Sequence, residues 1–463
     1  MQFHSPEFVL FFIIVVLLHW TMAPSAKAQN IFLILASIVF YCTWDMRSVC
    51  IPLIITVITF YAARLMHDFK DEHYRLIFFW FAMAVNFGCL FAFKYVDFFL
   101  QSFVRLFPVN NSSLSFRTLV PVGLSFFTLN AVGYLLDVKT GIPPCRDITQ
   151  FCPFVFFFPH LLSGPIARTK SLLPQFARKR DLHYGEMMYG LTRISVGLFK
   201  KVVVADTLSK YVDNVFENSH YQTFLNLTIA TFVFSLQLYA DFSGYTDMAI
   251  GSAKMFGIRL DENFATPYSS RTVAEFWRRW HISLSNWLRD YVYIPLKGNK
   301  VPHLRWCCNI LIVFLISGLW HGANWTYILW GTMHAIFIIV QKWTFPQKKE
   351  HTIIENCAQV CITYLVVCLA WFFFRLPSLE QIPMMVRQCL EHTTTNLPCL
   401  LAGNSVSYIL SALFAGACLL TMDLLWPKVG TSPLKNVLIT ISTIVLIVFR
   451  GILSGSTFIY TQY

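Results

Sequence analysis

The chain has 463 residues, of which 56% are hydrophobic and 13% are charged, and its mean hydropathy is +0.56. Soluble domains carry about 25% charged residues, so this composition excludes an ordinary soluble protein and indicates that lipid is the solvent. The net charge is +12. In a membrane protein such an excess marks cytoplasmic loops and lipid headgroups, so membrane lipids are expected as partners and nucleic acid is not.

Mostly apolar segments recur along the chain, without the alternating polarity of barrel strands. A spanning helix needs roughly 20 apolar residues, so we predict an all-α integral membrane protein with about ten to twelve transmembrane or re-entrant helices in one polytopic domain, residues 1–463. Residues 26–28 resemble a signal-peptidase site, but no Lys or Arg precedes the first apolar run, so the first helix is predicted to be retained. The predicted spans lie near residues 8–23, 30–44, 49–66, 76–95, 119–136, 150–163, 224–250, 306–319, 323–341, 353–374, 404–426 and 434–459.

Three prolines, Pro153, Pro159 and Pro165, interrupt the apolar stretch at residues 151–168. Proline breaks a regular helix, and irregular backbone at membrane depth is tolerated only where protein covers it or where it lines a cavity. We therefore predict a broken or re-entrant element here. His160 lies within it, and a structural role is favoured over a cavity-lining one.

Two regions are rich in basic residues: eight lie between residues 168 and 201, and seven lie between residues 271 and 305. By the positive-inside tendency, both regions are predicted to face the cytoplasm. Between them, a helical run at residues 239–257 carries Asp241 and Asp247. Ionisable groups inside a membrane segment are costly, so they indicate either a functional site or ion pairs with Lys254 or with the cations of residues 271–279. The two interpretations weigh equally.

The most charged and most aromatic stretch lies at residues 274–299, and it predicts one continuous amphipathic helix over Ala274–Tyr293, ended by Pro295 and Gly298. His281 projects on the apolar side of this predicted helix. The alternative interpretation is a basic helix that lies at the membrane interface and binds headgroups.

His321 lies in a stretch without a charged residue, from residue 306 to residue 341. Burial in apolar surroundings keeps a histidine neutral, and a neutral histidine is a competent general base. Gly318 and Gly322 permit the close approach of another helix or of a ligand chain, and Asn324 is placed to fix the histidine tautomer or to hold a carbonyl oxygen. A buried structural histidine explains the same pattern equally well, and that role is favoured for His334.

The thirteen cysteines form no CxxC pair, and most of them lie in apolar runs. Cysteine in such places behaves as a small apolar residue. We expect no disulfide framework, no zinc site and no other metal site.

These motifs carry a resemblance. WRRWHISLSNWLRDYVYIPLKGN, followed by the second histidine in GLWHGANWTYILWG, resembles the membrane-bound O-acyltransferase family, in the branch of alginate O-acetylases, peptidoglycan O-acetyltransferases and the teichoic-acid D-alanylation transporter. FFPHLLSGPIAR, GLFKKVVVADTL, LYADFSGYTDMAIG and ENFATPY match as well. The resemblance places a motif core at about residues 151–341, and C-terminal helices with an aromatic tail at residues 353–463. It implies helices around a funnel or tunnel.

The resemblance also implies a function: transfer of an acetyl group from a cytoplasmic thioester, acetyl-CoA or an acyl-carrier thioester, for O-acetylation of an exported cell-envelope polysaccharide. A periplasmic SGNH-type partner of esterase fold would complete the transfer, and the location would be the bacterial inner membrane. No bound cofactor is expected. The alternatives are D-alanyl transfer to teichoic acid, a non-enzymatic transporter or flippase, and a scaffold for an envelope assembly.

In the residue roles that the resemblance implies, His321 is the catalytic histidine, and His281, the second family histidine, is also expected to be catalytic. His281 or Asn324 would support either the developing oxyanion or His321 itself. The C-terminal Tyr463, or less favourably Tyr460, would relay the acyl group, against the alternative of an interfacial aromatic belt. The remaining expected site residues are Asn324, Trp280, Trp320 and Asp290 in support, and Arg278 and Arg279 for the phosphates of the donor.

Overall fold

All regular secondary structure in the part of the chain that the computed structural model describes is helical. No strand occurs among these residues, so the all-α prediction is confirmed. The described residues are 1–22, 24–106, 120–218, 222–344, 352–391, 405–425 and 432–451.

Six of the described helical segments are long and apolar enough to cross a membrane, with lengths of 18 to 34 residues. On the last of these segments, Pro433–Arg450, the apolar side chains of Leu438, Val448 and Phe449 are each more than half exposed. Exposed apolar side chains of this size are stable in lipid and costly in water. The chain is therefore a multi-pass membrane protein, and the total of ten to twelve spans stays a prediction. The six segments are Cys50–Asp68, Glu72–Arg105, Phe224–Lys254, His303–His321, Ile353–Arg375 and Pro433–Arg450.

The chain divides into two compact units, and the first comprises residues 1–194 and 248–261. In it, the helix Cys50–Asp68 packs against the helices Glu72–Leu90, Leu124–Lys139 and Ile148–Val155. The helices that begin in this unit are α1 (Pro6–Met22), α2 (Ala26–Cys42), α3 (Cys50–Asp68), α4 (Glu72–Leu90) with a π-helical turn (Phe91–Tyr95), α5 (Val96–Leu106), α6 (Leu124–Lys139), α7 (Ile148–Val155), α8 (Phe158–Leu161), α9 (Thr169–Phe176) and α10 (Tyr184–Phe199).

The proline-rich stretch is broken, as predicted, into α7 and α8, with extended backbone at Phe157 between them. The freed backbone groups find side-chain partners. The Phe158 amide donates to Ser37 Oγ at 3.0 Å, and the Ala167 amide donates to Asn130 Oδ1 at 2.8 Å. Residues 151–167 are buried, His160 among them, so protein covers the irregular backbone.

The second unit comprises residues 195–247 and 262–463 and holds both predicted catalytic histidines. In this unit, the helix Trp325–Thr344 packs against the helices Val273–Arg279, His303–His321 and Ile353–Arg375. The prediction of one functional domain over the whole chain stays a prediction. The remaining helices are a π-helical turn (Lys200–Ala205), α11 (Asp206–Glu217), α12 (Phe224–Lys254), α13 (Val273–Arg279), α14 (Ile282–Leu288) with a π-helical turn (Arg289–Tyr293), α15 (His303–His321), α16 (Trp325–Thr344), α17 (Ile353–Arg375), α18 (Ile382–Glu391), α19 (Ser405–Leu425) and α20 (Pro433–Arg450).

Candidate active site

The helix predicted over Ala274–Tyr293 is broken at its centre, so the prediction of a continuous helix is wrong. α13 ends at Arg279, His281 adopts left-handed backbone with φ of 44° and ψ of 53°, and α14 begins at Ile282. Left-handed backbone is unfavourable for a residue with a side chain, and it persists only where surrounding contacts impose it. The single apolar face expected of one straight helix therefore does not describe the surroundings of His281.

A neighbouring segment supplies the contacts that hold the break. The Ala265 amide donates to the Arg279 carbonyl at 2.9 Å, and the Ile282 amide donates to the Asn263 carbonyl at 2.9 Å. These two bonds satisfy one carbonyl at the end of α13 and one amide at the start of α14, groups that a helix end leaves without an intrahelical partner. The segment thus replaces the helical hydrogen bonds that the break removes.

His281 is fully buried at this break. Its Nδ1 lies 3.2 Å from Asn263 Oδ1, and its ring meets the Phe242 ring edge-on at a centroid distance of 4.8 Å. Burial lowers the pKa of His281 from its ordinary 6.5 to about 3, because the charged form loses its hydration. The imidazole is therefore neutral at physiological pH.

His321 is the last residue of α15, and it is 2% exposed. Aromatic rings surround it: the centroids of Trp320, Trp330 and Phe374 lie 5.0, 4.9 and 5.5 Å from the imidazole centroid. The centroids of His321 and His281 are 6.5 Å apart. The structure thus brings together the two histidines that the sequence separates by forty residues.

Close packing of α15 on α16 fixes the position of His321. A Cβ on Gly318 would lie 2.3 Å from the Tyr327 carbonyl oxygen, and a Cβ on Gly331 would lie 2.2 Å from the Phe314 carbonyl oxygen. Only glycine permits this approach. The sequence left open whether Gly318 admits a helix or a ligand chain, and in the structure it is a helix.

The two expected supporting tryptophans differ in their contacts. The Trp320 ring contacts the imidazoles of both His321 and His281, with a centroid distance of 5.8 Å to His281. Trp280 is fully buried and packs against other aromatic rings, including Phe276 at 5.5 Å and Trp371 at 5.1 Å. Trp320 is therefore placed to act at the site, whereas the contacts of Trp280 are those of a structural residue in the aromatic packing.

Asn324 and Asp290 have structural contacts. The Asn324 amide nitrogen donates to the Pro377 carbonyl at 2.8 Å, and its side-chain oxygen accepts from the Thr326 amide at 3.1 Å. These bonds hold the turn that follows His321. Asp290 lies on the π-helical turn after α14 and pairs with Arg289 at 2.8 Å. A catalytic role for either residue stays a prediction.

The two arginines proposed for the donor phosphates are in different states. Arg279 pairs with Glu275 at 2.6 Å and donates to Ser269 Oγ at 2.8 Å, so its guanidinium is engaged in holding the segment before the break. Arg278 is exposed, and among the described residues it makes no ion pair. Arg278 is the better placed of the two to meet an anion from solution.

Asp241 and Asp247 form buried ion pairs, but not with the cations expected from the sequence. Lys201 Nζ lies 2.9 Å from Asp241 and also 2.9 Å from Asp206, and Lys200 Nζ lies 2.8 Å from Asp247. The predicted partners were Lys254 and the cations of residues 271–279, and that pairing is wrong. Lys254 pairs with Glu186 in the first unit. Lys200 and Lys201, counted above as basic residues of a cytoplasmic region, are buried.

Three further placements concern predicted or missed residues. Tyr460 and Tyr463 lie outside the described residues. Trp277 Nε1 donates to His334 Nδ1 at 3.3 Å, as expected of a structural histidine. Asn263, which contacts His281, was not predicted as a site residue, although it lies in the ENFATPY motif.

No group of three or more potential metal ligands occurs among the described residues.

Comparison with known proteins places these features in a family. The model of the membrane-bound O-acyltransferase family matches residues 146–379, a range that contains both histidines and Asn263. The peptidoglycan O-acetyltransferase of Helicobacter pylori is 35% identical over 412 residues, covering 82% of this chain and 77% of that protein.

Two other relatives differ in how far the likeness extends. A protein of Azotobacter vinelandii named "Probable alginate O-acetylase AlgI" is 35% identical over 390 residues, covering 82% of this chain and 76% of that protein. The teichoic acid D-alanyltransferase of Bacillus subtilis is 29% identical over 274 residues, covering 55% of this chain and 68% of that protein. On the family match and these extended likenesses, the chain belongs to the membrane-bound O-acyltransferase family and is a membrane acyltransferase.

Proposed function

We propose that this protein transfers an acetyl group from a cytoplasmic thioester for the O-acetylation of an exported cell-envelope polysaccharide. The observation that carries the proposal is the pair of buried histidines whose imidazole centroids lie 6.5 Å apart within aromatic surroundings. Such surroundings exclude water, which would otherwise hydrolyse a thioester, and a neutral imidazole there can accept a proton.

In the proposed step, His321 accepts the proton of a hydroxyl group while the hydroxyl oxygen attacks the thioester carbonyl. A C–O bond forms, the C–S bond breaks, and the proton passes from His321 to the departing thiolate. The hydroxyl belongs either to the acceptor or to a relay such as Tyr463. The donor is acetyl-CoA or an acyl-carrier thioester, and Arg278 is the candidate contact for its phosphates.

The acceptor is inferred from the relatives. Those matching 82% of the chain are named for O-acetylation of peptidoglycan or alginate, whereas the D-alanyltransferase matches 55% of it. This difference favours acetyl over D-alanyl transfer. We further propose a location in the bacterial inner membrane and a periplasmic SGNH-type partner of esterase fold that completes the transfer to the polysaccharide.

The test is the O-acetyl content of exported glycans, separated into exopolysaccharide and peptidoglycan. A deletion strain is complemented with the native protein, with His321→Ala, with Tyr463→Phe, and with His303→Ala as a matched control at an exposed histidine of the same helix. We expect His321→Ala to abolish acetylation of one fraction, which names the acceptor, and His303→Ala to restore it. Loss of D-alanine esters instead would support the teichoic-acid alternative.

Either of two results would overturn parts of this proposal. Full acetylation with His321→Ala would remove the catalytic assignment and favour the transporter interpretation. Full acetylation with Tyr463→Phe would leave the transfer intact and remove Tyr463 as the relay.

A further inference from the structure

Asn263 is a fully buried side chain whose amide oxygen meets three groups of the segment that carries the second family histidine. Its Oδ1 lies 3.1 Å from the Ser283 amide nitrogen, 2.9 Å from Ser283 Oγ and 3.2 Å from His281 Nδ1. A single oxygen atom of Asn263 thus contacts two groups of Ser283 on α14 and the imidazole of His281 at the break.

The chemistry of these groups fixes the orientation of the amide. A backbone N–H can only donate, so the Asn263 atom that faces the Ser283 amide must be the oxygen and not the nitrogen. The same oxygen faces Nδ1 of His281. An oxygen acceptor requires a donor opposite it, so Nδ1 of His281 carries a proton.

The tautomer of His281 follows directly. A neutral imidazole has one N–H, so a proton on Nδ1 leaves Nε2 with its lone pair. The ring is neutral because it is fully buried, and it contacts the Phe242 ring, the Trp320 ring and the imidazole of His321. In this form Nε2 accepts hydrogen bonds and does not donate them.

The backbone of Asn263 supports the same arrangement. Its carbonyl accepts from the Ile282 amide at 2.9 Å, so the residue holds His281 through the side chain and the next residue through the main chain. The main-chain bond to Ile282 fixes the position of the histidine, and the side-chain bond to Nδ1 fixes the orientation of its ring.

We propose that Asn263 is a positioning residue that holds His281 in the tautomer protonated on Nδ1, so that His281 presents Nε2 to the substrate as an acceptor for an O–H or N–H group. The proposal rests on the proposed acyl transfer and refines it. A neutral His281 in this tautomer has no proton on Nε2 to donate to a developing oxyanion. The proposal therefore excludes oxyanion support as a role for His281.

The test is the ¹⁵N spectrum of the full-length protein labelled at histidine and reconstituted in lipid. A neutral imidazole gives one pyrrole-type and one pyridine-type nitrogen signal, and coupling to the ring protons tells Nδ1 from Nε2. The signals of His281 are those that disappear in His281→Gln. We expect a pyrrole-type Nδ1 and a pyridine-type Nε2 in the native protein.

Three variants extend the test. Asn263→Ala removes the acceptor, so the Nδ1-protonated form should lose its dominance, and acetyl transfer should fall between about tenfold and about 10⁴-fold, the latter being the loss seen when a triad histidine takes the wrong tautomer. Asn263→Asp keeps an oxygen acceptor and should keep Nδ1 protonated. Ser283→Ala, the matched control, removes a different hydrogen bond to the same oxygen and should leave the signals of His281 unchanged.

A pyridine-type Nδ1 in the native protein would overturn the proposal, even if Asn263→Ala failed to fold. An unchanged His281 spectrum in folded Asn263→Ala would overturn it as well. Failure of the proposed function gives a different result: the tautomer would be as expected, but acetylation would not depend on His321.

Discussion

Replacing Gly331 with alanine would place a methyl group 2.2 Å from the Phe314 carbonyl oxygen, where ordinary van der Waals contact begins at 3.4 Å. α15 and α16 would have to separate by roughly 1 Å at this point, because packed interiors have no room to absorb the atom elsewhere. His321 ends α15 two turns beyond Phe314, so it would move relative to His281. A displacement of about 1 Å in a catalytic geometry costs on the order of 100-fold in rate.

The assay is acetyl transfer by purified protein in proteoliposomes, together with the melting temperature in detergent. We expect Gly331→Ala to lower the rate about 100-fold and the free energy of unfolding by about 1–3 kcal/mol. Gly88→Ala on α4 is the matched control, since a Cβ there meets nothing within 4 Å; it should leave the rate unchanged and should not lower the free energy of unfolding. A native rate in folded Gly331→Ala would refute the claim that this packing positions the catalytic histidine.

Lys201→Met removes two buried ion pairs and should destabilise the protein by about 3–5 kcal/mol, whereas Arg146→Met, which removes an exposed ion pair, should destabilise it by less than about 1 kcal/mol. Equal melting temperatures for the two variants would contradict this. Because burial lowers the pKa of His281 from 6.5 to about 3, the unfolded chain binds a proton that the folded protein excludes as pH falls through that range. Stability is therefore lost toward low pH, by about 1 kcal/mol between pH 6.5 and 5.5, and denaturant titrations should show a smaller loss in His281→Gln. Arg278→Gln should raise the KM for acetyl-CoA about fivefold without lowering kcat. Arg279→Gln, which loses the ion pair with Glu275, should instead lower the melting temperature. An unchanged KM in Arg278→Gln would show that Arg278 does not bind the donor.

The membrane class and the burial of His321 could be predicted from the sequence because both signals are local. Apolar segments of spanning length and a histidine within a charge-free stretch are visible in short windows. The broken element at residues 151–168 was predictable for the same reason, since Pro153, Pro159 and Pro165 act on their own backbone.

The break at His281 could not be predicted, because every residue from Ala274 to Tyr293 is compatible with a helix. Its cause lies at Asn263, outside that window, through backbone and side-chain bonds that no local pattern encodes. The tertiary contacts override a strong local helical pattern here, and they do so at the candidate active site.

The partners of Asp241 and Asp247 were missed for a related reason. Lys200 lies 47 residues before Asp247 and Lys201 lies 40 residues before Asp241, and the positive-inside tendency assigned both lysines to a cytoplasmic region. Helix packing brings them to the aspartates. The general inference of buried ion pairs was correct, whereas the choice of cations required the three-dimensional arrangement.

The central claim is that His321 carries the acyl transfer, and the most direct test is the acceptor-dependent release of free CoA from acetyl-CoA by the purified protein in proteoliposomes. The native protein should release CoA when an acceptor hydroxyl is supplied, and His321→Gln should reduce that rate by at least about 100-fold while its melting temperature stays near the native value. A folded His321→Gln protein that releases CoA at the native rate would contradict the account.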